Sequence, residues 1–319
     1  MTARVGSAGY GVTPSHLASG VLELYPVEGP RWLDALEATQ RKLASMWQIE
    51  LGRWLPGSRT GCVRRVVTST GAPAVLKVPV VPGDTSAELR VLRYWGGHGA
   101  PRVLQADDAT GALLLEYVKG RRVADVALSP PTLTRLGEYL SRLHADKGTV
   151  PPKLPTMDER LSPLRGDLAR RECTCEQMAR ANAALVRCEE AVRKWLRSTA
   201  PESGCQTVIH GDLHARNLLL TPDNGFAAID PYGLRGEPAR DIGVLAASIS
   251  GRPASLRRRL DILASECAVD AVRAAAHAYT FALGAIRFRR VYGAARDTAQ
   301  LMNVAEELTP LLTAAGALS

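Results

Sequence analysis

Two aspartates and one asparagine lie close together in the segment from Val208 to Asp230. Asp212 follows a short apolar run, Asn217 comes five residues later, and Asp230 ends the next apolar stretch. Carboxylate and amide oxygens are the ligands that hard cations such as Mg²⁺ accept. A carboxylate also orients an acceptor hydroxyl and takes its proton during phosphoryl transfer. These residue types indicate magnesium-dependent phosphoryl transfer, with Asp212 as the base and Asn217 and Asp230 as metal ligands.

A β-hairpin is predicted to bring the three side chains together. Its strands are the apolar runs at 218–220 and 226–229, and Asp223, Asn224 and Gly225 form the turn between them. Such a hairpin places Asn217 and Asp230 at the same end of neighbouring strands, with Asp212 nearby. Taken singly, each polar residue is explained as well by a turn or a strand end. Their joint spacing between apolar runs favours a functional site.

The same residues carry a family resemblance. The run H-G-D-L-H-A-R-N, followed by A-I-D-P, resembles the motif of the aminoglycoside phosphotransferases, which are relatives of the eukaryotic protein kinases. The later run G-E-P-A-R-D resembles the streptomycin and hydroxyurea kinase branch, and similarity upstream from Ala74 to Leu115 extends the match to about two thirds of the chain. The resemblance implies an ATP-dependent kinase acting on a small-molecule hydroxyl. It also implies an α+β, bilobal protein-kinase-like fold, with a small antiparallel-sheet N-lobe and a larger, mainly helical C-lobe.

Hydrophobic periodicity is compatible with that fold. It predicts a helix at 86–94 and strands at 48–55, 61–69, 73–80, 101–106 and 112–118. After residue 118 the apolar spacing becomes mainly helical. We therefore predict two domains, a nucleotide-binding lobe at 1–118 and a catalytic and substrate-binding lobe at 119–319.

Phosphate-binding residues are expected in the first domain. Lys77 lies in an apolar strand, where an ammonium without a partner is costly to desolvate, and it is the candidate for the α/β-phosphates. Glu88 is its candidate partner, although a solvated glutamate in the first turn of a helix is a fair alternative. Ser58 lies in the turn between the first two strands. That turn matches a phosphate-covering loop in position, and an ordinary hairpin turn is nearly as good an explanation.

The remaining cofactor contacts are expected from backbone and supporting groups. Adenine is predicted to bind the backbone of Glu116, Tyr117 and Val118. Together with the predicted metal ligands, this makes ATP and Mg²⁺ the expected cofactors. Among the supporting groups, His210 is expected to brace the catalytic loop rather than to ionise. Asp241 is expected to cap the following helix or to steady that loop.

Composition restricts the class of protein. The chain has 319 residues, 46% of them hydrophobic and 23% charged, with a net charge of +8. No apolar run is long enough to span a bilayer, and residues 1–12 lack the order of a secretion signal. Six scattered cysteines and dispersed arginines favour a cytoplasmic location without nucleic-acid or membrane partners. The chain is expected to be a monomer or a homodimer.

The acceptor is predicted from charge. Arg287, Arg289 and Arg290 stand where a kinase for polycationic streptomycin should have acidic residues, because like charges repel. This favours a neutral or anionic acceptor, such as a nucleoside-type antibiotic or a hydroxyurea-like compound. Alternatives are a streptomycin or aminoglycoside kinase, and a metabolic kinase for a sugar or an amino alcohol. A nucleotide-binding pseudokinase is the non-enzyme alternative.

Overall fold

The computed structural model describes residues 13–55, 60–160, 166–168, 176–199, 206–249, 254–292 and 298–318. By residue contacts the chain divides into two compact units, 1–89 with 101–117 and 90–100 with 118–319. The assignment of separate functions to the segments before and after residue 118 stays a prediction.

The first unit is built on an antiparallel sheet. Its strands are β1 (Ile49–Trp54), β2 (Gly61–Thr68), β3 (Pro73–Pro79), β4 (Val103–Asp107) and β5 (Ala112–Glu116), in the spatial order β1-β2-β3-β5-β4. Neighbouring strands pair antiparallel throughout, so the predicted run of consecutive antiparallel strands is confirmed. Helix α1 (Ser15–Leu24) and helix α2 (Gly29–Trp47) precede the sheet, and helix α3 (Ser86–Trp95) follows β3.

One face of this sheet is covered by α2. Leu36 and Leu43 of the helix are almost fully buried and share a core with Val66 and Leu76 of the strands. Burying an aliphatic side chain contributes roughly 1.5–3 kcal/mol, so this shared core fixes the sheet against its helix. Helix α1 has no counterpart among the sequence predictions. Its N-cap residue, Pro14, offers no capping side chain, which removes the usual signal of a helix start.

The second unit is mainly helical, as the resemblance implies. Its longer helices are α4 (Pro130–His144), α5 (Glu176–Ser198), α6 (Pro238–Ser248), α7 (Leu256–Glu266), α8 (Ala271–Val291) and α9 (Ala299–Ala314). Its short strands are β6 (Arg121–Arg122), β7 (Thr207–Ile209), β8 (Leu218–Leu220), β9 (Phe226–Ala228) and β10 (Leu234–Gly236). They form two small sheets, β6-β8-β9 and β10-β7. In the part of the chain that the structure describes, no helix combines the length and apolar character of a bilayer span.

Helix α6 is the central helix of this unit. Nearly every residue from Ala239 to Ala247 is buried, because α7 and α8 both pack against it. Gly243 is required here, since a Cβ atom at this position would lie 2.2 Å from the backbone oxygen of Ala274. A helix held this firmly is a rigid support for the loops that contact its first turn.

Candidate active site

The hairpin of β8 and β9 positions two of the three candidate residues. Leu218 pairs with Ala228, and the backbone N–H of Ile229 donates to the oxygen of Asn217 at 2.8 Å. Asn217 and Asp230 therefore leave the hairpin at the same end, as the sequence predicts. Asp230 has a φ of 60°, a left-handed conformation uncommon for a residue other than glycine. Backbone strain of this kind is concentrated at functional sites.

Asn217 is also tied to Asp212. Its Nδ2 donates to the backbone oxygen of Asp212 at 3.1 Å and lies 3.5 Å from the Oδ2 atom of the same residue. Since the amide nitrogen is engaged, the amide oxygen is the atom left to act as a ligand. Burial raises the pKa of Asp212 and the charge of Asp230 raises it further, so the two carboxylates are within electrostatic range of each other. The structure thus brings all three residues together, and their individual roles stay predictions.

A buried aspartate, Asp241, holds the loop that carries Asp212. Asp241 accepts hydrogen bonds from the backbone N–H groups of His210 and Gly211, both at 2.8 Å, and lies 3.0 Å from His144 Nε2. Burial by itself raises the pKa of Asp241, but its hydrogen bonds with His144 and Gly211 and the nearby histidine charges together outweigh burial, and the pKa is lowered. Because α6 begins at Pro238, Asp241 lies inside the helix. The suggestion that it caps the helix is wrong, and the suggestion that it steadies the loop is confirmed.

Gly211 is fixed by geometry. Its φ is +84°, and a Cβ atom there would lie 2.4 Å from Leu234 Cδ1. A side chain here would be strained by the positive φ, and the Leu234 side chain would have to move to make room for it. Glycine before Asp212 therefore lets the loop keep this path without strain.

His210 braces the loop in a defined tautomer. The backbone N–H of Asp212 donates to His210 Nδ1 at 3.2 Å, so Nδ1 is unprotonated and Nε2 donates to the oxygen of Ile229 at 2.9 Å. Burial lowers the pKa of this imidazole, although Asp241 opposes the effect. The ring also stacks on Trp95, with centroids 6.3 Å apart. A neutral histidine with both nitrogens occupied is a structural support, as expected.

The electrostatics of Asp212 suit a base. Burial raises its pKa to about 6, and Asp230 contributes to the rise while His214 and Arg240 oppose it. Nε2 of His214 lies 3.7 Å from Asp212 Oδ2, and the Asp212 side chain is 24% exposed. The carboxyl group is thus partly open to a substrate and has a pKa nearer to neutrality than an ordinary aspartate, which favours proton acceptance.

Lys77 and Glu88 form a close ion pair. Lys77 Nζ lies 2.6 Å from Glu88 Oε2, and the two side chains are 14% and 4% exposed. The alternative of a solvated Glu88 is therefore wrong. An oriented, partly buried ammonium is suited to bind phosphate oxygens, and this role stays a prediction. Ser58, the candidate in the phosphate-covering loop, lies outside the described residues.

The predicted adenine-binding segment follows β5. The N–H of Glu116 donates to the backbone oxygen of Arg102 at 2.9 Å, and the Glu116 carboxylate accepts from Arg102 Nε at 3.2 Å. The ring of Tyr117 lies under the guanidinium of Arg65, which is 4.7 Å from the ring centroid. Because the Glu116 amide is occupied, binding of adenine through this segment requires other backbone groups, including those of Tyr117 and Val118.

The C-terminal arginines have a different role from the one inferred from sequence. Arg287 Nη1 donates to Glu189 Oε2 at 2.9 Å, and Arg290 Nη1 donates to Asn182 Oδ1 at 2.7 Å. Both contacts join α8 to α5, and Arg287 is buried. The charge of these two side chains therefore carries no information about the acceptor.

The metal ligands are few. Within the described ranges, no group of three or more His, Cys, Asp or Glu residues is arranged to hold a metal ion. The predicted ligands, Asn217 and Asp230, offer two oxygen donors, one neutral and one charged. This donor set fits Mg²⁺, which is commonly bound through one or two protein ligands together with water and substrate phosphates.

Two supporting residues were missed from the sequence. His144 lies in a buried contact with Asp241 although the two are 97 residues apart, so no local pattern reveals it. Arg240 is buried and lies near enough to Asp212 to oppose the rise in its pKa. A signal for Arg240 was present, because it directly precedes Asp241 in the run G-E-P-A-R-D.

Comparison with known families gives one match that spans most of the chain. The model of the aminoglycoside/hydroxyurea antibiotic resistance kinases matches residues 47–293. This range includes Lys77, Glu88 and the whole segment from Asp212 to Asp230.

Individual relatives agree with that match. A streptomycin 6-kinase of Streptomyces glaucescens is 29% identical over 281 residues, which are 83% of this chain and 87% of the relative. A hydroxyurea phosphotransferase of Kitasatospora aureofaciens is 27% identical over 268 residues, covering 82% of this chain and 76% of the relative. The crystal structure of a choline kinase from Cryptosporidium parvum Iowa II superposes with a TM-score of 0.60 at 16% identity, over 87% of this chain and 93% of the kinase. At that identity the likeness supports the fold alone.

Proposed function

Since the chain belongs to the aminoglycoside/hydroxyurea antibiotic resistance kinase family, we propose that it transfers the γ-phosphoryl group of ATP to a hydroxyl of a small-molecule antibiotic and thereby inactivates it. The observation that carries the proposal is the arrangement of Asn217, Asp212 and Asp230 around one hairpin end, with Asn217 bonded to Asp212. The streptomycin and hydroxyurea kinases among its relatives support an antibiotic as acceptor.

We assign each residue one role. Asp212 orients the acceptor hydroxyl and takes its proton, while Asn217 Oδ1 and the Asp230 carboxylate bind Mg²⁺. Lys77, held by Glu88, binds the α/β-phosphates. The acceptor oxygen forms a bond to the γ-phosphorus, the bond from that phosphorus to the β-phosphate oxygen breaks, and ADP leaves. Bound magnesium would neutralise part of the phosphate charge. The protein would position the acceptor and ATP and would provide fixed charges around them.

We propose a cytoplasmic location, where ATP is available and the environment is reducing. Cys62, Cys188 and Cys267 are free thiols, which suits that location. We propose no membrane or nucleic-acid partner, and the assembly is a monomer or a homodimer. A pseudokinase would keep nucleotide binding without transfer, and retention of all three polar residues at the hairpin argues against it.

The test is an ATP-consumption screen against antibiotics of differing charge, with mass spectrometry for a product that has gained one phosphate. Asp212→Asn should bind Mg-ATP like the wild type and lose turnover by roughly 10²–10⁴-fold, the usual contribution of a general base. Asp230→Asn should lose both magnesium dependence and turnover. Asp223→Asn, an exposed substitution in the turn of the same hairpin, is the matched control. Turnover at the wild-type rate in Asp212→Asn would refute the role given to this residue.

A further inference from the structure

A large cavity lies in the second unit beside the first turn of α6. Its volume is about 790 Å³, and it is lined by the loop at 150–158 together with residues of α5, β10, α6 and α8. The volume falls within the range of small-molecule sites, roughly 300–1,000 Å³. The size is suited to an antibiotic or a comparable metabolite.

The lining of this cavity is strongly cationic. Among the described residues it has six basic side chains against two acidic ones, the basic ones being Lys153, Arg193, Arg197, Arg235, Arg240 and Arg273. Both acidic residues, Asp158 and Glu237, already lie beside arginines. Glu237 accepts from Arg273 Nε at 2.7 Å, and Asp158 lies 3.7 Å from Arg193. Arg193 also donates to Glu189 at 2.7 Å, so the excess of positive charge on the cavity wall comes from Lys153, Arg197, Arg235 and Arg240.

Arg240 is the residue in this wall that most needs a ligand. It is only 8% exposed, and its Nε is buried without a hydrogen-bond partner among the residues that the structure describes. Leaving a charged donor buried and unsatisfied is costly, so such a group calls for an explanation. An oxyanion in the cavity provides one, because guanidinium groups bind carboxylates and phosphates with paired hydrogen bonds.

The position of Arg240 connects the cavity to the catalytic loop. Burial lowers the pKa of Arg240 to about 10, and the charge of Arg193 acts in the same direction, while Asp241 and Asp212 oppose them. Arg240 in turn opposes the rise in the pKa of Asp212. The guanidinium thus remains charged at neutral pH and lies within electrostatic range of the proposed base. Ile209, three residues before Asp212, also lines the cavity.

We propose that the acceptor carries a carboxylate, and that Arg240 binds this anion in the cavity and so places the acceptor hydroxyl at Asp212. The proposal rests on the proposed function, which it extends to the class of the acceptor. It sets this chain apart from its streptomycin-kinase relatives, because excess positive charge on the wall repels a polycation. The charge that bears on the acceptor is carried by the residues that line the cavity. The C-terminal arginines give no such information, because two of them join α8 to α5.

A structural role for Arg240 is the competing explanation. In that case the guanidinium only balances the carboxylates of Asp212 and Asp241, and its loss affects all ligands alike. The two explanations differ in one measurable respect. Only an anion-binding arginine discriminates between an acid and the neutral amide of the same shape.

The experiment therefore uses matched pairs of probes. We would measure by calorimetry, without nucleotide, the dissociation constants of a set of hydroxy acids and their primary amides, beginning with gluconate and gluconamide. Wild-type protein should bind the acid of at least one pair more tightly, by about tenfold or more, as expected for a hydrogen bond to a charged group. Arg240→Gln should remove this preference. Arg240→Lys should keep part of it, and remains informative if the glutamine variant does not fold.

The control is Arg258→Gln, the same change of charge on an exposed position of α7 away from the cavity. It should leave the preference intact. Three results would overturn the proposal. The wild type could bind acid and amide equally in every pair, the preference for the acid could survive Arg240→Gln, or the control variant could lose that preference to the same extent. Because binding is measured without ATP, the anion site and the proposed function can be refuted independently of each other. Anion binding through Arg240 without phosphoryl transfer refutes the proposed function alone, and transfer only to neutral or cationic acceptors refutes the anion site alone.

Discussion

Asn217 donates a hydrogen bond from its side-chain Nδ2 to the backbone oxygen of Asp212, over 3.1 Å. The bond joins the end of the hairpin to the loop that carries the proposed base. It also orients the amide, so that the oxygen of Asn217 is the atom available to a cation. One side chain thus couples the position of the proposed base to that of the proposed metal site.

Asn217→Asp tests this coupling. The carboxylate keeps the shape of the amide but cannot donate to Asp212, and it adds a negative charge beside Asp212 and Asp230. We expect kcat to fall by roughly a hundredfold or more, the scale for losing one electrostatic contact at a reacting centre. Titrating Mg²⁺ at saturating ATP measures the effect. Asn224→Asp, in the exposed turn of the same hairpin, should be neutral. A normal kcat in Asn217→Asp would show that the amide donor is dispensable.

The raised pKa of Asp212 predicts an acidic limb in the pH profile. A base must be deprotonated to act, and burial moves the pKa of this carboxyl from 3.8 to about 6. We therefore expect kcat/KM to be constant above neutrality and to fall tenfold per pH unit below about pH 6. The measurement is initial rate at subsaturating acceptor from pH 5 to 8, with circular dichroism as the check that the protein stays folded. A limb near pH 4 would contradict the burial of the base.

Part of the site was readable from the sequence because its causes are local. The hairpin follows from two apolar runs around Asp223, Asn224 and Gly225, and its register fixes where Asn217 and Asp230 lie. Lys77 was readable because a cation in an apolar strand needs a partner, and Glu88 lies only 11 residues away.

Other parts were hidden because their partners are distant along the chain. Arg287 finds Glu189 across 98 residues, and an arginine-rich helix gives no sign of that contact. The cavity beside Arg240 is assembled from a loop, two strands and three helices that no single pattern connects. Sequence therefore identified where charge is abundant, and only the fold showed which charges are already balanced.

Asp212 should also reduce the stability of the unliganded protein. Its pKa is higher in the folded chain than the 3.8 of an ordinary aspartate, so between about pH 4 and pH 6 the folded state binds more protons than the unfolded state. Stability contributed by this residue is lost as pH rises through that window. Asp212→Asn resembles the protonated form, so the variant should be more stable than the wild type at pH 8, by about 1–3 kcal/mol, and equal to it at pH 4. Urea unfolding without nucleotide or Mg²⁺ at the two pH values measures this difference. A variant less stable than the wild type at pH 8 would be incompatible with the raised pKa.

The pair of Lys77 and Glu88 should show strong coupling in a double-mutant cycle. Lys77→Met alone leaves the Glu88 charge, whose side chain is 4% exposed, without its ammonium, and we expect a loss of about 3–5 kcal/mol in the free energy of unfolding.

Adding Glu88→Leu removes the carboxylate that Lys77 neutralised, so the double variant should regain most of that stability while Mg-ATP binding stays weakened in both variants. Chemical unfolding and calorimetric titration with Mg-ATP measure the two effects separately. The control pair is Arg41 and Glu37 on the exposed surface of α2, where Arg41→Met should cost under about 1 kcal/mol because solvent screens the charges. If the double variant is as unstable as Lys77→Met, the loss comes from packing rather than from the charge of Glu88. If Mg-ATP affinity is unchanged in Lys77→Met, this lysine does not bind the phosphates.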